Sequence, residues 1–164
     1  MQTEILKKIA IMWDDYIVQM DMGPIAVLGK VPNKILIIGD KKHRHEQIKN
    51  NLDSRGDYII RHSLTYEDGL KSFRSFVPQL VIIDLDVDLY NGYELGKKME
   101  FLCQVLPSFL FISKSKVRLD ENKKGFKFAD AHHLNSPYTY SQFHEMVADV
   151  FLSRKKFLKD RKIA

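Results

Sequence analysis

Short apolar runs alternate with stretches of helical periodicity along most of the chain. Five runs have the length and the bounded composition of buried strands. They cover residues 35–39, 58–62, 79–84, 107–113 and 131–135. Because strands that alternate with helices form βαβ units, we predict an α/β fold: a doubly wound, five-stranded parallel sheet covered by helices on both faces.

The stretches between the runs place apolar residues on one face of a helix. Thr65, with Asp68 three residues later, predicts a capping box that opens the second helix. A third helix is predicted from about Gly92, and a weaker, Lys-rich stretch lies at 117–127. The predicted inward positions are Leu70, Phe73 and Val77 in the second helix, Leu95, Met99 and Leu102 in the third, and Phe143, Met146, Val147, Val150 and Phe151 in the last.

Carboxylates stand at the ends of two predicted strands. Asp40 follows the first strand, and Asp84 ends the third and is followed by Asp86 and Asp88. Doubly wound sheets bind ligands at the carboxyl ends of their strands, where the strand order reverses. If the strand order is 2-1-3-4-5, Asp40 and Asp84 converge on one crevice.

The two ends of the chain extend beyond the predicted sheet domain, which covers 33–152. Residues 1–32 are predicted to form an amphipathic helix and a connector, and this helix either folds back onto the domain or contacts a second copy or another partner. Residues 153–164 continue the last helix with six basic residues and one acidic residue. Such a helix is expected to pair with another helix or to lead into an output domain.

Composition limits the classes of partner. The net charge of +5 comes entirely from residues 153–164, so the sheet domain is not typical of nucleic-acid-binding domains. Nucleic acid is therefore expected to bind only through this basic tail or through a missing output domain. The single cysteine, Cys103, excludes an intramolecular disulfide and fits the reducing cytoplasm. Charges interrupt the apolar N-terminal residues, so neither a signal peptide nor a membrane anchor is predicted.

The segment VIIDLDVDLYNGYEL, with Asp84 eight residues before Gly92, resembles the receiver domain of bacterial two-component response regulators. The resemblance covers roughly 34–152. Ser113, at the end of the fourth strand, matches the hydroxyl-bearing position of that family. Pro137-Tyr138 matches its Pro-aromatic pair, in which the proline usually follows a lysine through a cis bond.

The resemblance implies a phosphoryl-transfer site. Asp84 would accept the phosphoryl group as an acyl phosphate, and Mg²⁺ would neutralise the transferring charge. Asp40, Asp84 and the backbone carbonyl of Asp86 would hold the metal, since Mg²⁺ prefers oxygen ligands. The Ser113 hydroxyl would bind the phosphoryl group and switch the neighbouring face between two states.

The sequence departs from the family pattern at four positions. Gly39-Asp40 keeps one of the two usual acidic residues, and Ser136 replaces the lysine before Pro137. Lys114 stands where a small residue is usual, and would either replace the missing ammonium or obstruct the phosphoryl group. His133 occupies the aromatic switch position, where a histidine is smaller than the usual aromatic residue and belongs to the side-chain class that can titrate near neutrality. Mg²⁺ binding is expected to be weak or absent if these changes disable the site.

We therefore expect an atypical receiver, bacterial and cytoplasmic, that passes signals through protein contacts rather than acting as an enzyme. Its expected partner is a sensor histidine kinase or another signalling protein, and the terminal helices could form a homodimer. The alternative is a pseudo-receiver that works as an interaction or dimerisation module without phosphorylation.

Three other interpretations of the same residues fit less well. Asp84 and Asp86 have the spacing of haloacid-dehalogenase-type phosphatases, but that motif belongs on the first strand of its domain. A calcium loop would need glycine at Leu89 and glutamate at Leu95. The six histidines lack the ligand spacing of a metal site, so surface or loop positions are expected for them.

Overall fold

A computed structural model describes residues 32–40, 42–53, 58–86, 89–102, 107–114 and 131–160. Within these ranges the strands are β1 (Asn33–Ile38), β2 (Tyr58–Ser63), β3 (Leu80–Asp84), β4 (Ser108–Ser113) and β5 (Ala131–Asn135). The helices there are α1 (Lys42–Asp53), α2 (Tyr66–Phe76), α3 (Leu89–Leu102) and α4 (Tyr140–Asp160). The predicted N-terminal helix, the stretch 117–127, Asp88 and Cys103 lie outside the described residues.

The five strands form one sheet in the order β2-β1-β3-β4-β5, and every neighbouring pair is parallel. The predicted fold class and strand order are therefore confirmed. Each predicted strand lies within two residues of the observed one. The alternation of apolar runs and helices carried this prediction because parallel neighbours need a crossover connection. The described crossovers are helical: α1 lies between β1 and β2, α2 between β2 and β3, and α3 between β3 and β4.

The sheet separates two apolar layers, because successive side chains of a strand point to opposite faces. In β1, Ile35 and Ile37 face α1 and α4, whereas Leu36 and Ile38 face α2 and α3. β3 and β4 are buried along their whole length. The sheet centre therefore has the continuous apolar sequence that a strand covered on both faces requires.

Two predicted inward positions are wrong. Val77 is exposed and caps α2 in the left-handed region, at φ 51°, with its backbone N–H donating to the Phe73 carbonyl. The helix ends here because Pro78 has no N–H to continue it. Leu102, the last residue of α3, is also exposed. Thr65 caps the N-terminus of α2, since its hydroxyl oxygen accepts a hydrogen bond from the Asp68 amide at 3.1 Å and donates one to Oδ2 of Asp68 at 2.9 Å. This is the first half of the predicted capping box.

α1 is tied to α4 near its C-terminal end. His144 donates through Nε2 to the Asn51 carbonyl at 2.8 Å, and the Tyr140 hydroxyl donates to the same carbonyl at 3.4 Å. Carbonyls in the last turn of a helix have no partner within the helix, so these bonds satisfy one of them. α4 then continues to Asp160, past the predicted domain boundary at residue 152. No helix in the described part of the chain is long and apolar enough to cross a bilayer.

Candidate functional site

The carboxyl edge of the sheet brings the predicted site residues together. Asp84 ends β3, the strand between β1 and β4, and is 3% exposed. Ile38 pairs with Ile83, so Asp40 follows the neighbouring strand at nearly the same height. Asp84 pairs with Ile112, which places Ser113 one position further along β4. Asp40 is exposed and Ser113 is buried.

A residue that the sequence analysis did not single out, Arg44, lies at the centre of this edge. It stands in the first turn of α1, and its guanidinium nitrogen Nη1 is 2.9 Å from both Asp84 oxygens and 2.8 Å from Oδ2 of Asp86. One nitrogen therefore contacts three carboxylate oxygens of two residues. Arg44 is itself buried, at 9% exposed.

Backbone amides complete the bonding of the two carboxylates. Oδ1 of Asp84 accepts a hydrogen bond from the Asp86 amide at 3.0 Å, and Oδ1 of Asp86 accepts one from the Lys114 amide at 2.8 Å. Together with Arg44, these donors engage all four oxygens. The carboxylates are thus held in place by the β3–α3 loop and the end of β4 as well as by the guanidinium.

The charges of the cluster explain the protonation of Arg44. Burial would lower the pKa of its guanidinium, but the hydrogen bonds and charges of Asp86 and Asp84 together raise that pKa above its ordinary value. Arg44 is therefore a permanent cation between two carboxylates. Such a pair is favourable inside a protein only when hydrogen bonds satisfy the remaining polar atoms, as the backbone amides do here.

Packing beneath the cluster fixes the loop after β3. The Tyr66 hydroxyl donates to the Asp84 carbonyl at 3.2 Å, and the Leu85 amide donates to the Ile112 carbonyl at 2.8 Å. Gly92 lets α3 approach this loop, because a Cβ there would lie 2.5 Å from Cδ2 of Leu85 and 3.0 Å from the Tyr66 hydroxyl. The glycine of the sequence motif therefore serves close packing.

The residues that follow β4 and β5 meet beside the cluster. The Ser136 amide donates to the Ser113 carbonyl at 2.7 Å, and the Ser136-Pro137 peptide bond is cis, as the resemblance implied. Lys114 reaches Asp86 through its backbone amide and is exposed. A role of its ammonium as a substitute cation stays a prediction, as do the roles of Asp84 as acceptor and of Ser113 as switch hydroxyl.

Aromatic contacts involve His133 of β5 and Tyr138, which follows it. The Tyr93 hydroxyl forms a hydrogen bond with Nε2 of His133, whose ring also lies 5.2 Å from that of Phe111. Tyr138 stacks on Phe143, and burial raises the pKa of the Tyr138 hydroxyl. The charge of Arg44 lowers this pKa and that of Asp84 raises it, so Tyr138 lies within the electrostatic field of the cluster.

As folded, the site does not fit the Mg²⁺ that the resemblance implies. A metal ion needs carboxylate lone pairs that point toward it, whereas both oxygens of Asp84 and Oδ2 of Asp86 already contact Nη1 of Arg44 at 2.8–2.9 Å. Nη1 of Arg44 occupies the space between the two carboxylates. Within the described ranges, no group of three or more His, Cys, Asp or Glu side chains is arranged to hold a metal ion. The roles of Asp40 and of the Asp86 carbonyl as ligands stay predictions.

Sequence reasoning missed Arg44, although a signal was present. The stretch KKHRH follows Asp40 directly, at the point where the related pattern has lost an acidic residue at Gly39. A basic residue in the first turn after strand one can reach the end of the adjacent third strand. The coincidence of a lost acid and a gained base could have identified a replacement cation.

Solved structures provide the comparison with known proteins. The chain is similar to the chemotaxis protein CheY4 of Vibrio cholerae, with 15% identity and a TM-score of 0.64 over 73% of this chain and 98% of that one. The receiver domain of a putative Luxo repressor protein from Vibrio parahaemolyticus gives 20% identity and a TM-score of 0.65 over 81% and 98%. A two-component response regulator from Clostridium difficile gives 18% and 0.63 over 75% and 98%.

No protein-family model and no curated protein matches the chain. The structural likeness therefore rests on backbone geometry at low identity, and it extends over nearly the full length of each of these three structures. Together with the strand order, it agrees with the resemblance seen in the sequence. The chain has the fold of response-regulator receiver domains.

Proposed function

We propose that the chain is a receiver-fold signalling module that works through protein contacts without phosphorylation of Asp84. The observation that carries this proposal is the engagement of both Asp84 oxygens by Arg44. A carboxylate attacks phosphorus through an oxygen lone pair, and here both oxygens of Asp84 contact the guanidinium of the buried Arg44. The nucleophile is therefore occupied before a phosphodonor arrives.

Two further features support the same proposal. The lysine that usually pairs with the phosphoryl oxygens is replaced by Ser136, which carries no charge. The Asp84 carboxylate is almost fully buried, so a phosphodonor can reach it only if Arg44 leaves. If Arg44 moved away, the buried charge of Asp84 would lose its partner. The free-energy cost of that unpaired charge opposes this opening.

The contacts that carry the signal are assigned to the face formed by β4, β5 and α4. His133 lies on this side of the molecule and packs against Phe111, and the pKa of Tyr138 responds to the charges of Arg44 and Asp84. Because Arg44 holds the β3–α3 loop, this face is expected to persist in one conformation. The signalling partner would then read the presence of the module rather than its modification.

Intact-mass spectrometry after incubation with acetyl phosphate and Mg²⁺ tests the proposal. We expect no phosphoryl adduct on the wild-type chain, under conditions in which a competent receiver domain is labelled. A single adduct that is lost in Asp84→Asn would overturn the proposal and assign Asp84 as the acceptor. Turnover of an aryl phosphate, also lost in Asp84→Asn, would instead assign a phosphatase.

A further inference from the structure

The carboxylate pair at the end of β3 has the composition of a divalent-cation site but contains a side-chain cation. Three oxygens surround Nη1 of Arg44 at 2.8–2.9 Å, and they belong to Asp84 and Asp86. One guanidinium nitrogen carries only two N–H bonds, so three close oxygens indicate attraction to a centre of charge as much as directed hydrogen bonding. In this respect Nη1 occupies the place of a metal ion.

The carboxylates do not depend on Arg44 alone for their position. The amides of Asp86 and Lys114 each hold one carboxylate oxygen, and neither bond involves α1. Tyr66 fixes the carbonyl at the end of the same strand. Removal of the guanidinium would therefore leave the buried Asp84 and the partly buried Asp86 facing the vacated space, where their repulsion has no compensating charge.

We propose that Arg44 is a resident cation that excludes divalent metal from this chain, and that its removal uncovers a site for such a metal on Asp84 and Asp86. The inference rests on the proposed function in one respect, since both require Arg44 to stay between the carboxylates. It adds the reason why the site needs no metal: the positive charge is covalently attached to α1.

The oxygen distances around Nη1 indicate that Ca²⁺ would need a smaller rearrangement than Mg²⁺. The oxygens lie 2.8–2.9 Å from Nη1, whereas Mg²⁺ binds oxygen at about 2.0–2.1 Å and Ca²⁺ at about 2.3–2.6 Å. A metal at the position of Nη1 would draw the oxygens inward by a few tenths of an ångström for Ca²⁺ and by more for Mg²⁺. Waters would complete the coordination in the space left by the arginine side chain.

The test measures metal binding directly, with no phosphodonor present. Mn²⁺ is titrated into the full chain, and free Mn²⁺ is counted by electron paramagnetic resonance. The set of proteins is the wild type, Arg44→Ala, Asp84→Asn and the double variant, with Lys71→Ala as a matched loss of one positive charge elsewhere. Subtracting the variants that carry Asp84→Asn removes adventitious binding at histidines.

We expect no Asp84-dependent Mn²⁺ in the wild type or in Lys71→Ala, and one equivalent in Arg44→Ala. Mg²⁺ and Ca²⁺ should compete for that equivalent and raise the melting temperature of Arg44→Ala only. Arg44→Gln, which keeps more of the side-chain volume, repeats the measurement if Arg44→Ala does not fold. An Asp84-dependent equivalent of Mn²⁺ in the wild type overturns the inference whether or not these variants fold.

Two results would overturn the inference: an Asp84-dependent equivalent of Mn²⁺ in the wild type, or a folded Arg44 variant that binds none. Neither coincides with failure of the proposed function, which is a phosphoryl adduct on Asp84. A wild type that binds metal but is not phosphorylated would refute only the resident cation. A wild type that excludes metal but accepts a phosphoryl group would refute only the proposed function.

Discussion

Two ion pairs in this molecule have nearly the same length and opposite surroundings. Arg44 and Asp84 lie 2.9 Å apart with side chains 10% and 4% exposed, whereas Lys71 and Glu67 lie 3.0 Å apart with side chains 70% and 80% exposed. The first pair joins residues forty positions apart, on two elements; the second lies within one helix at i and i+4. Distance alone would rank them as equals.

Burial separates them. Water screens the exposed pair and already satisfies each partner when they are apart, so such pairs contribute little to the free energy of unfolding. Removing the buried pair from water costs free energy during folding. Loss of one partner then leaves the other charge in surroundings that cannot solvate it. The buried pair therefore matters to stability mainly because loss of either partner would leave an unpaired charge inside the protein.

The largest expected effect comes from removing the buried cation. Arg44→Ala should lower the free energy of unfolding by about 3–5 kcal/mol without added metal, because the buried Asp84 and the partly buried Asp86 lose their counter-charge. Urea denaturation of the wild type and the variant measures the difference. Lys71→Ala is the matched control, and equal losses in the two variants would contradict the importance given to burial.

The effect of Asp84→Asn on the free energy of unfolding should change sign when Arg44 is absent. In the wild type, Asp84→Asn should cost about 1.5–3 kcal/mol, the range for a hydrogen bond to a charged group. In the Arg44→Ala background the same change should stabilise the fold, because it removes repulsion between Asp84 and Asp86. A double-mutant cycle by urea denaturation measures this coupling. Equal costs in both backgrounds would show that Arg44 and Asp84 act independently.

At high pH, deprotonation of Tyr138 should add a negative charge that interacts with Arg44 and Asp84. Burial raises the pKa of Tyr138 above 10.0, so the folded chain holds this proton more tightly than the unfolded chain. Its contribution to stability is complete below about pH 10 and is lost as the pH rises through the folded pKa, with a slope of at most about 1.4 kcal/mol per pH unit.

The free energy of unfolding, measured from pH 9 to 11, should fall less steeply in Tyr138→Phe than in the wild type. The difference between the two curves isolates Tyr138 from the other tyrosines and the lysines that titrate in this range. Arg44→Ala should raise the pKa of Tyr138 further, since the positive charge that lowers it is gone. Parallel curves for the wild type and Tyr138→Phe would show that Tyr138 does not contribute to the loss of stability at high pH.

The smallest effect is expected at the exposed pair. Glu67→Gln and Lys71→Ala should leave the urea midpoint unchanged within the error of measurement, because both side chains are largely in water. Added salt should leave the effect of Arg44→Ala nearly intact, since buried charges are screened far less than exposed ones. A loss at Glu67 that disappears in high salt would mean that this pair contributes more than its exposure suggests.

The same two ion pairs differ in how far the sequence predicts them. Glu67 and Lys71 face each other because of helical spacing, which is visible in the chain itself. The sheet order was likewise accessible, since apolar runs such as 79–84 alternate with helices. Asp84 could be placed at the functional edge because parallel strands end together.

Arg44 could not be placed in this way, because its partners lie forty residues away and are met only after the sheet has formed. A long side chain on α1 can point to solvent or to the site, and helical periodicity does not choose between them. Val77 failed for a local reason: the apolar stripe continued in the sequence, but the helix had to end before Pro78. The hydrophobic pattern therefore predicts the layers of the fold better than it predicts the polar contacts between them.

The attachments of α1 have a consequence for how the molecule opens. Helices normally fray from their ends, where the last turns lack partners. In α1 the first turn is held by Arg44 on the β3 carboxylates, and the last turn by His144 of α4 on the Asn51 carbonyl. With both ends anchored to different elements, its amide protons should exchange with solvent only when the sheet itself comes apart. α1 would then belong to the slowest-exchanging cooperative unit of the protein, although most of its sequence is polar.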